Sequence, residues 1–413
     1  MKLMPLSDRS LNFLALGEAN NNNANSCDLA ILDGHLDMNI LAKCVDRIAL
    51  THPILQSRIV RKGLKYYWQH DESIYPQKLY LDWSQCYCEF DQWHEALRQY
   101  VIDNPIDPFS ASPLKLIYIK YQQFSAILFL SSHAASDARS GYILFEQLNS
   151  ILCNQSIPEE DNSFCEDPLI FDRVEWKALL KAGKCLVSEL FKPSSKIMIK
   201  DSGNWSVDYF DFGVGATESL IKWANQHEVS VNVALNYLLN KALNKGEKYT
   251  IIETISIRGI AKKNLASSYN NLIMPFGSEV GGDSCWVKAY QARLQDLKLE
   301  GYKVHQAEQR IQSYSINMMP KFALKLLVNA YKSMFLNGNV ILSNLGRLEF
   351  ELNYIGERKI IDIYNFSVPL PPAGLALVVS TYKGRLRISF AHRTEKIEQI
   401  IKAIQHELSV INE

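Results

Sequence analysis

A histidine and an aspartate four residues apart sit in the string Ser132-His133-Ala134-Ala135-Ser136-Asp137-Ala138. Histidine is the side chain whose ordinary pKa lies close enough to neutrality to move protons in both directions, so His133 is the candidate general base. A half-buried Asp137 would need a cationic partner to remain charged. The H-x-x-x-D spacing is by itself weak, because a histidine beside a strand is more often a hydrogen-bonded structural residue than a catalyst. No metal chemistry is expected: Cys86-Tyr87-Cys88 is an isolated pair, and the eight cysteines show no repeated C-x-x-C spacing.

The flanking elements are what raise the weight of this string. Phe124, Ala126, Ile127, Leu128, Phe129 and Leu130 predict a buried strand before it. Ile143, Leu144, Leu148, Ile151 and Leu152 predict one face of a helix after it. A polar loop between an apolar strand and a helix is where α/β proteins place chemistry. Upstream, Leu29 and Ile31 predict a strand ending at Asp33-Gly34-His35. Asp37 is suited to cap a helix with Ile40, Leu41, Cys44, Val45 and Ile48 on its apolar face, and His52-Pro53 ends it. Asn20 to Asn25 reads as a flexible turn.

The remaining chain sets the bounds. At 413 residues it is too long for one core and predicts about two domains. Lys+Arg and Asp+Glu both total 44, so no net field favours nucleic acid. No uncharged apolar run approaches the ~18 residues of a membrane span, the start lacks a signal-peptide core, and several of the cysteines lie in apolar patterns and read as small core residues. A reducing, cytoplasmic setting is the expectation. Pro158 to Asn162 reads as an acidic surface loop. The stretch from Lys192 to Asn204 has linker composition, which predicts an N-terminal half over 1–191, a crossover over 192–204 and a C-terminal half over 205–413. Thr217 is expected to cap a helix, Met318 to Leu336 to form a long apolar helix, and Tyr382 to Arg385 to turn a hairpin.

Leu32-Asp33-Gly34-His35-Leu36-Asp37, then His52-Pro53-Ile54-Leu55 and Arg58, resembles the opening of the superfamily of condensation domains and chloramphenicol-acetyltransferase-like acyltransferases. The central string resembles that superfamily's His-His-x-x-x-Asp-Gly signature, with Ser132 in place of the first His and Ala138 in place of the Gly. Gly permits backbone angles that Ala resists, so a slightly reshaped loop is expected. Ser256-Ile257-Arg258 resembles the family's strand ending in Arg, and Asn270-Asn271-Leu272 a segment that follows it. Asn339 to Gly346 resembles a strand ending in Ser-Asn-x-Gly.

The resemblance implies an α/β fold of two chloramphenicol-acetyltransferase-like subdomains. Each would be a mixed sheet flanked by helices, with an active-site channel between them. It implies an acyltransferase in which His133 assists direct attack of an acceptor on a thioester, without a serine nucleophile or bound cofactor. Asp137, Arg258 and Ser132 would shape the site, and Ser343, Asn344 and Gly346 would line the channel or stabilise the oxyanion. The co-substrate would be acyl-CoA or the phosphopantetheine thioester of an acyl or peptidyl carrier protein. The acceptor would be an alcohol or amine. Ala261-Lys262-Lys263 could meet a donor phosphate. Two other readings stay open: a condensation enzyme joining carrier-bound partners, and an inactive binding protein of the same fold.

Overall fold

The computed structural model describes residues 2–20, 23–85, 90–157, 174–190, 205–259, 265, 268–282, 285–320, 323–324, 326, 340–348, 352–368 and 374–412. The expected crossover at 192–204, the acidic loop at 158–162 and Ala261-Lys262-Lys263 lie outside these residues.

Two mixed sheets dominate. In the first half the chain runs β1 (Leu3–Pro5), α1 (Asp8–Ala19), β2 (Asn25–Asp33), α2 (Met38–Thr51), β3 (Ser57–Lys62), β4 (Lys65–His70) and β5 (Gln77–Asp82). It continues through α3 (Phe90–Asp103), β6 (Leu114–Tyr121), β7 (Phe124–Ser132), α4 (Ala138–Leu152) and α5 (Trp176–Leu190). The second half runs β8 (Ser206–Asp211), α6 (Gly213–Gln226), α7 (Val231–Asn244), β9 (Tyr249–Ser256), β10 (Ile273–Val280), α8 (Trp286–Asp296) and α9 (Tyr302–Met318). It ends with β11 (Val340–Arg347), β12 (Tyr354–Ile355), β13 (Arg358–Ser367), β14 (Leu375–Tyr382), β15 (Arg385–His392) and α10 (Ile397–Asn412). The first sheet has the order β12-β13-β2-β7-β6-β5 and the second β10-β9-β11-β14-β15-β8; β1, β4 and β3 form a small third sheet.

β7 is buried along almost its whole length because both of its faces are covered. Ile127 and Phe129 point into a core shared with Val45, Ile48, Leu144 and Phe145 of α2 and α4. Leu128 and Leu130 point the other way, into a core that also takes Val207, Ala376 and Ala391 from the second sheet. The side-chain alternation of a strand thus joins the two sheets face to face. Helices α6, α7, α8 and α10 cover the outer face of the second sheet.

The sheets do not respect the division at residue 205. β13 pairs antiparallel with β2, so residues 354–367 return from the C-terminal half to extend the first sheet. Arg387 of β15 ties this excursion down: its guanidinium holds Asp362 of β13 and, 2.8 Å away, Asp211 of β8. No local pattern in β13 distinguishes it from a strand of the second sheet, since pairing partner is a tertiary choice.

Several local expectations are corrected. Thr217 lies inside α6 rather than at its cap; its hydroxyl donates to Gly213 O and accepts from Leu386 N. Ile40 is 52% exposed, so the apolar face of α2 starts at Leu41. Asn23 and Asn25 are buried and hydrogen-bonded rather than part of an open turn, with Asn23 Nδ2 donating to Ile102 O. Met318 ends α9 instead of beginning a helix, because Met319 is extended and Pro320 follows. Further along that expected helix, Ala323, Leu324 and Leu326 are helical, while 321, 322, 325 and 327–336 lie outside the described residues. Asp37 does cap α2, accepting from Asn39 N and Ile40 N. Lys383 (φ 48°) and Gly384 (φ 72°) make the two-residue β14–β15 turn, whose positive φ values match the twist of a tight hairpin.

Candidate active site

The end of β7 and the start of α4 deliver the central string. Ser132 is buried, and its carbonyl gathers the turn by accepting from Ala135 N, Ser136 N and Ser136 Oγ. The His133 backbone is fixed from two sides, donating to Ala24 O at 2.8 Å and accepting from Asn271 Nδ2 at 2.5 Å. Its Nδ1 lies 3.1 Å from Ser136 O. A carbonyl only accepts, so Nδ1 carries the hydrogen and Nε2 keeps its lone pair. Nε2 makes no hydrogen bond with the described residues. Phe13 of α1 stacks on the imidazole with ring centroids 4.8 Å apart. Burial pushes the His133 pKa below its ordinary 6.5, against the opposing pull of the Ser136 carbonyl, so the ring is neutral at pH 7.

Asp137 caps α4 in a reciprocal arrangement: its carboxylate accepts from Ser140 N at 3.1 Å while Ser140 Oγ faces the Asp137 amide. The carboxylate also accepts from Leu272 N at 2.8 Å. Arg258 lies just past β9 and clasps both oxygens, Nη1 to Oδ2 at 2.5 Å and Nη2 to Oδ1 at 3.0 Å. The side chains are 9% and 2% exposed, so this is a buried pair bridging the two halves. Burial alone would raise the Asp137 pKa, but Arg258 and the N–H donors outweigh it and hold the carboxyl below 3.8. Arg258 Nη2 also donates to the carbonyls of Ser268 and Asn270.

Ala138, in the place of the signature's glycine, is the first residue of α4 and has no positive φ. Alanine meets no backbone strain here, since it suits a helical position at least as well as glycine. The close approach falls instead at Gly141, where a Cβ would sit 1.9 Å from Asp28 Oδ2.

Ser343 and Asn344 lie near the end of β11, as expected of a strand ending in Ser-Asn-x-Gly. Alternation sends them to opposite faces. Ser343 shares its face with Ile341, toward the first sheet, and accepts from Thr254 Oγ1 at 3.1 Å. Asn344 points to the outer face, where its Nδ2 donates to Asn232 Oδ1 of α7 at 3.1 Å. Gly346 takes a φ of 71°, and its amide donates to Asn344 Oδ1. No described hydrogen bond joins any of these three to the His133 loop.

The structure therefore brings together Ser132, His133, Asp137 and Arg258, and adds Phe13, Ser140, Asn271 and the Leu272 amide. Most of the added contacts use backbone atoms, which have no sequence signature; Asn270-Asn271-Leu272 was visible only through the resemblance. Among the described residues no cluster of three metal-ligating side chains exists, and no helix is long and apolar enough to cross a membrane.

No family model matches the chain, and no curated protein matches it. Solved structures do. The first condensation domain of the calcium-dependent antibiotic synthetase, in complex with a substrate analogue, matches with a TM-score of 0.72 at 10% identity, covering 99% of this chain and 95% of that one. The chain has the condensation-domain fold. The epimerization domain of tyrocidine synthetase B matches at TM-score 0.70 and 14% identity, covering 99% of this chain and 97% of that one. A starter condensation domain of rhizomide synthetase, in complex with a coenzyme A ligand, matches at TM-score 0.68 and 10% identity, covering 100% and 95%. At such identities the likeness establishes architecture, and the chemistry of a condensation-domain fold rests on its own residues.

Proposed function

We propose that this protein transfers an acyl group from a coenzyme A or carrier-protein thioester to a hydroxyl or amine acceptor. The observation that carries the reading is the His133 tautomer. A neutral, buried imidazole whose Nδ1–H is committed to Ser136 O offers the Nε2 lone pair as a base. As the acceptor attacks the thioester carbonyl, its proton passes to Nε2. Collapse of the tetrahedral intermediate expels the thiolate, which takes that proton back. Asp137 is held by Arg258 and backbone amides and does not contact Nδ1. Its role is to lock the loop across the two halves. The Ser343 hydroxyl already accepts from Thr254, so its own hydrogen is left to donate toward an oxyanion.

The donor is a thioester on coenzyme A or on a carrier-protein phosphopantetheine; no tightly bound cofactor is invoked. The rhizomide synthetase domain with its coenzyme A ligand supports the former source. The setting proposed for this reaction is the cytoplasm, where such thioesters are made.

The test is thiol release from a panel of acyl-CoAs and acyl-carrier thioesters, with mixed alcohol and amine acceptors. Native protein and His133→Ala are compared. Acceptor-dependent release that drops at least a hundredfold in the variant supports the reading. Equal release in both removes His133 from the chemistry, and silence with every donor rejects acyl transfer.

A further inference from the structure

Glu253 is 2% exposed on β9, the second strand of the second sheet, opposite Leu342 of β11. A buried carboxyl in a sheet is costly unless something uses it. Here Oε1 accepts from Asn232 Nδ2 at 3.1 Å and from Asn236 Nδ2 at 2.6 Å, both on α7. Asn232 passes the connection on, since its Oδ1 accepts from Asn344 Nδ2 at 3.1 Å. Asn344 in turn accepts from the Gly346 amide at 2.9 Å through Oδ1. An unbroken line of hydrogen bonds thus runs from Glu253 to the positive-φ residue at the end of β11. The neighbours of Glu253 and Asn344 on the same strands, Thr254 and Ser343, face the opposite way and bond to each other. The two strands are therefore gripped from both faces at one level.

We propose that Glu253 is a positioning residue that holds the Ser343 end of β11 from behind, through Asn232 and Asn344. This rests on the acyl-transfer reading for its catalytic consequence, but not for its structural one. Each asparagine amide can donate and accept at once, so the relay fixes amide orientation at every link. An ionised Glu253 is an acceptor only and enforces a single direction: Asn232 must donate to it and present its oxygen to Asn344. A protonated Glu253 relaxes that demand. Burial pushes its pKa up to about 7, against the opposing effects of Asn236, Asn232 and Arg293, and Oε2 is buried without a hydrogen-bond partner among the described residues. The charged and titratable groups acting on it are Arg293 of α8 and Tyr249 of its own strand; α7 presents Asn232 and Asn236, and Asn236 also donates to Tyr290 of α8.

Two measurements test this on the full chain. The first is hydrogen exchange of the amides of 340–347 in native protein, Glu253→Leu, Glu253→Gln and Asn344→Ala. Glu253→Leu and Asn344→Ala are expected to speed exchange at 344–346 at least tenfold, with β14 and β15 unchanged. Glu253→Gln keeps an acceptor and should stay within threefold of native. The second is the pH dependence of thiol release. Native kcat should fall on the acid side of an inflection near pH 7 that Glu253→Gln lacks, while KM changes less than threefold. Unchanged exchange in both Glu253→Leu and Asn344→Ala overturns the proposal, as does Glu253→Gln behaving like Glu253→Leu. Should Glu253→Leu not fold, Asn344→Ala and Glu253→Gln carry the test. A native protein inactive with every thioester rejects acyl transfer, while the exchange results still decide the relay.

Discussion

Replacing Arg258 with methionine is the sharpest perturbation of the two-half assembly. It removes the guanidinium from Asp137 and leaves a carboxylate whose side chain is 2% exposed. The donors that remain are Leu272 N, Ser140 N and Ser140 Oγ. Breaking a buried pair from one side costs about 3–5 kcal/mol, because the surviving charge stays desolvated. Asp137→Asn keeps the helix cap, since asparagine caps about as well as aspartate, but strands Arg258 against only carbonyls and a hydroxyl; about 2 kcal/mol is expected. The double variant has no buried charge left at this place. It should be more stable than Arg258→Met alone, which requires a coupling energy larger than the cost of Asp137→Asn, about 2–3 kcal/mol. Urea unfolding at pH 7, followed by tryptophan fluorescence, measures all four proteins. A loss below ~1 kcal/mol in Arg258→Met, or a double variant equal to the sum of the singles, refutes the assignment of a coupled buried pair. The pH dependence gives an independent reading. The folded pKa of Asp137 lies below its unfolded value near 3.8, so its stabilisation is full above that value and is lost as pH falls through the folded one. The stability gap between native protein and Asp137→Asn should therefore be constant from pH 7 to 5 and close below pH 4.

Three further outcomes follow from the same geometry. Gly141→Ala places a methyl 1.9 Å from Asp28 Oδ2, so it should lower stability by about 1–3 kcal/mol in thermal unfolding although alanine favours helices. Ala138→Gly restores the residue of the resembled signature, yet should cost up to about 1 kcal/mol and leave thiol release unchanged within twofold, because position 138 is helical. His133 titrates below 6.5, so the base form prevails at and above neutrality; in Glu253→Gln, kcat/KM should be flat from pH 7 to 8.5 and fall only in acid.

What the sequence determined by itself is the part written in side-chain type and local period. Apolar runs placed β7 and α4, Pro53 ended α2 close to the expected point, and the hairpin at Lys383-Gly384 announced its own turn. The string around His133 was visible as a chemistry-bearing loop, and the remote Arg258 through the family resemblance. Tertiary structure decided what depends on partners. The return of β13 to the first sheet was hidden because a strand's neighbours are chosen by the whole core, and the same alternating residues suit either sheet. The facing of Ser343 and Asn344 was hidden for a related reason. Strand parity sends them to opposite sides, and the resemblance to a strand ending in Ser-Asn-x-Gly did not say which side faces the first sheet. The clamps on the His133 loop come from Ala24 O, Asn271 and the Leu272 amide, and two of those three donors or acceptors belong to the backbone. Glu253 reads in sequence as a polar interruption in an apolar strand. Only the packing of α7 against β9 and β11 supplies the asparagines that give its buried carboxyl a use.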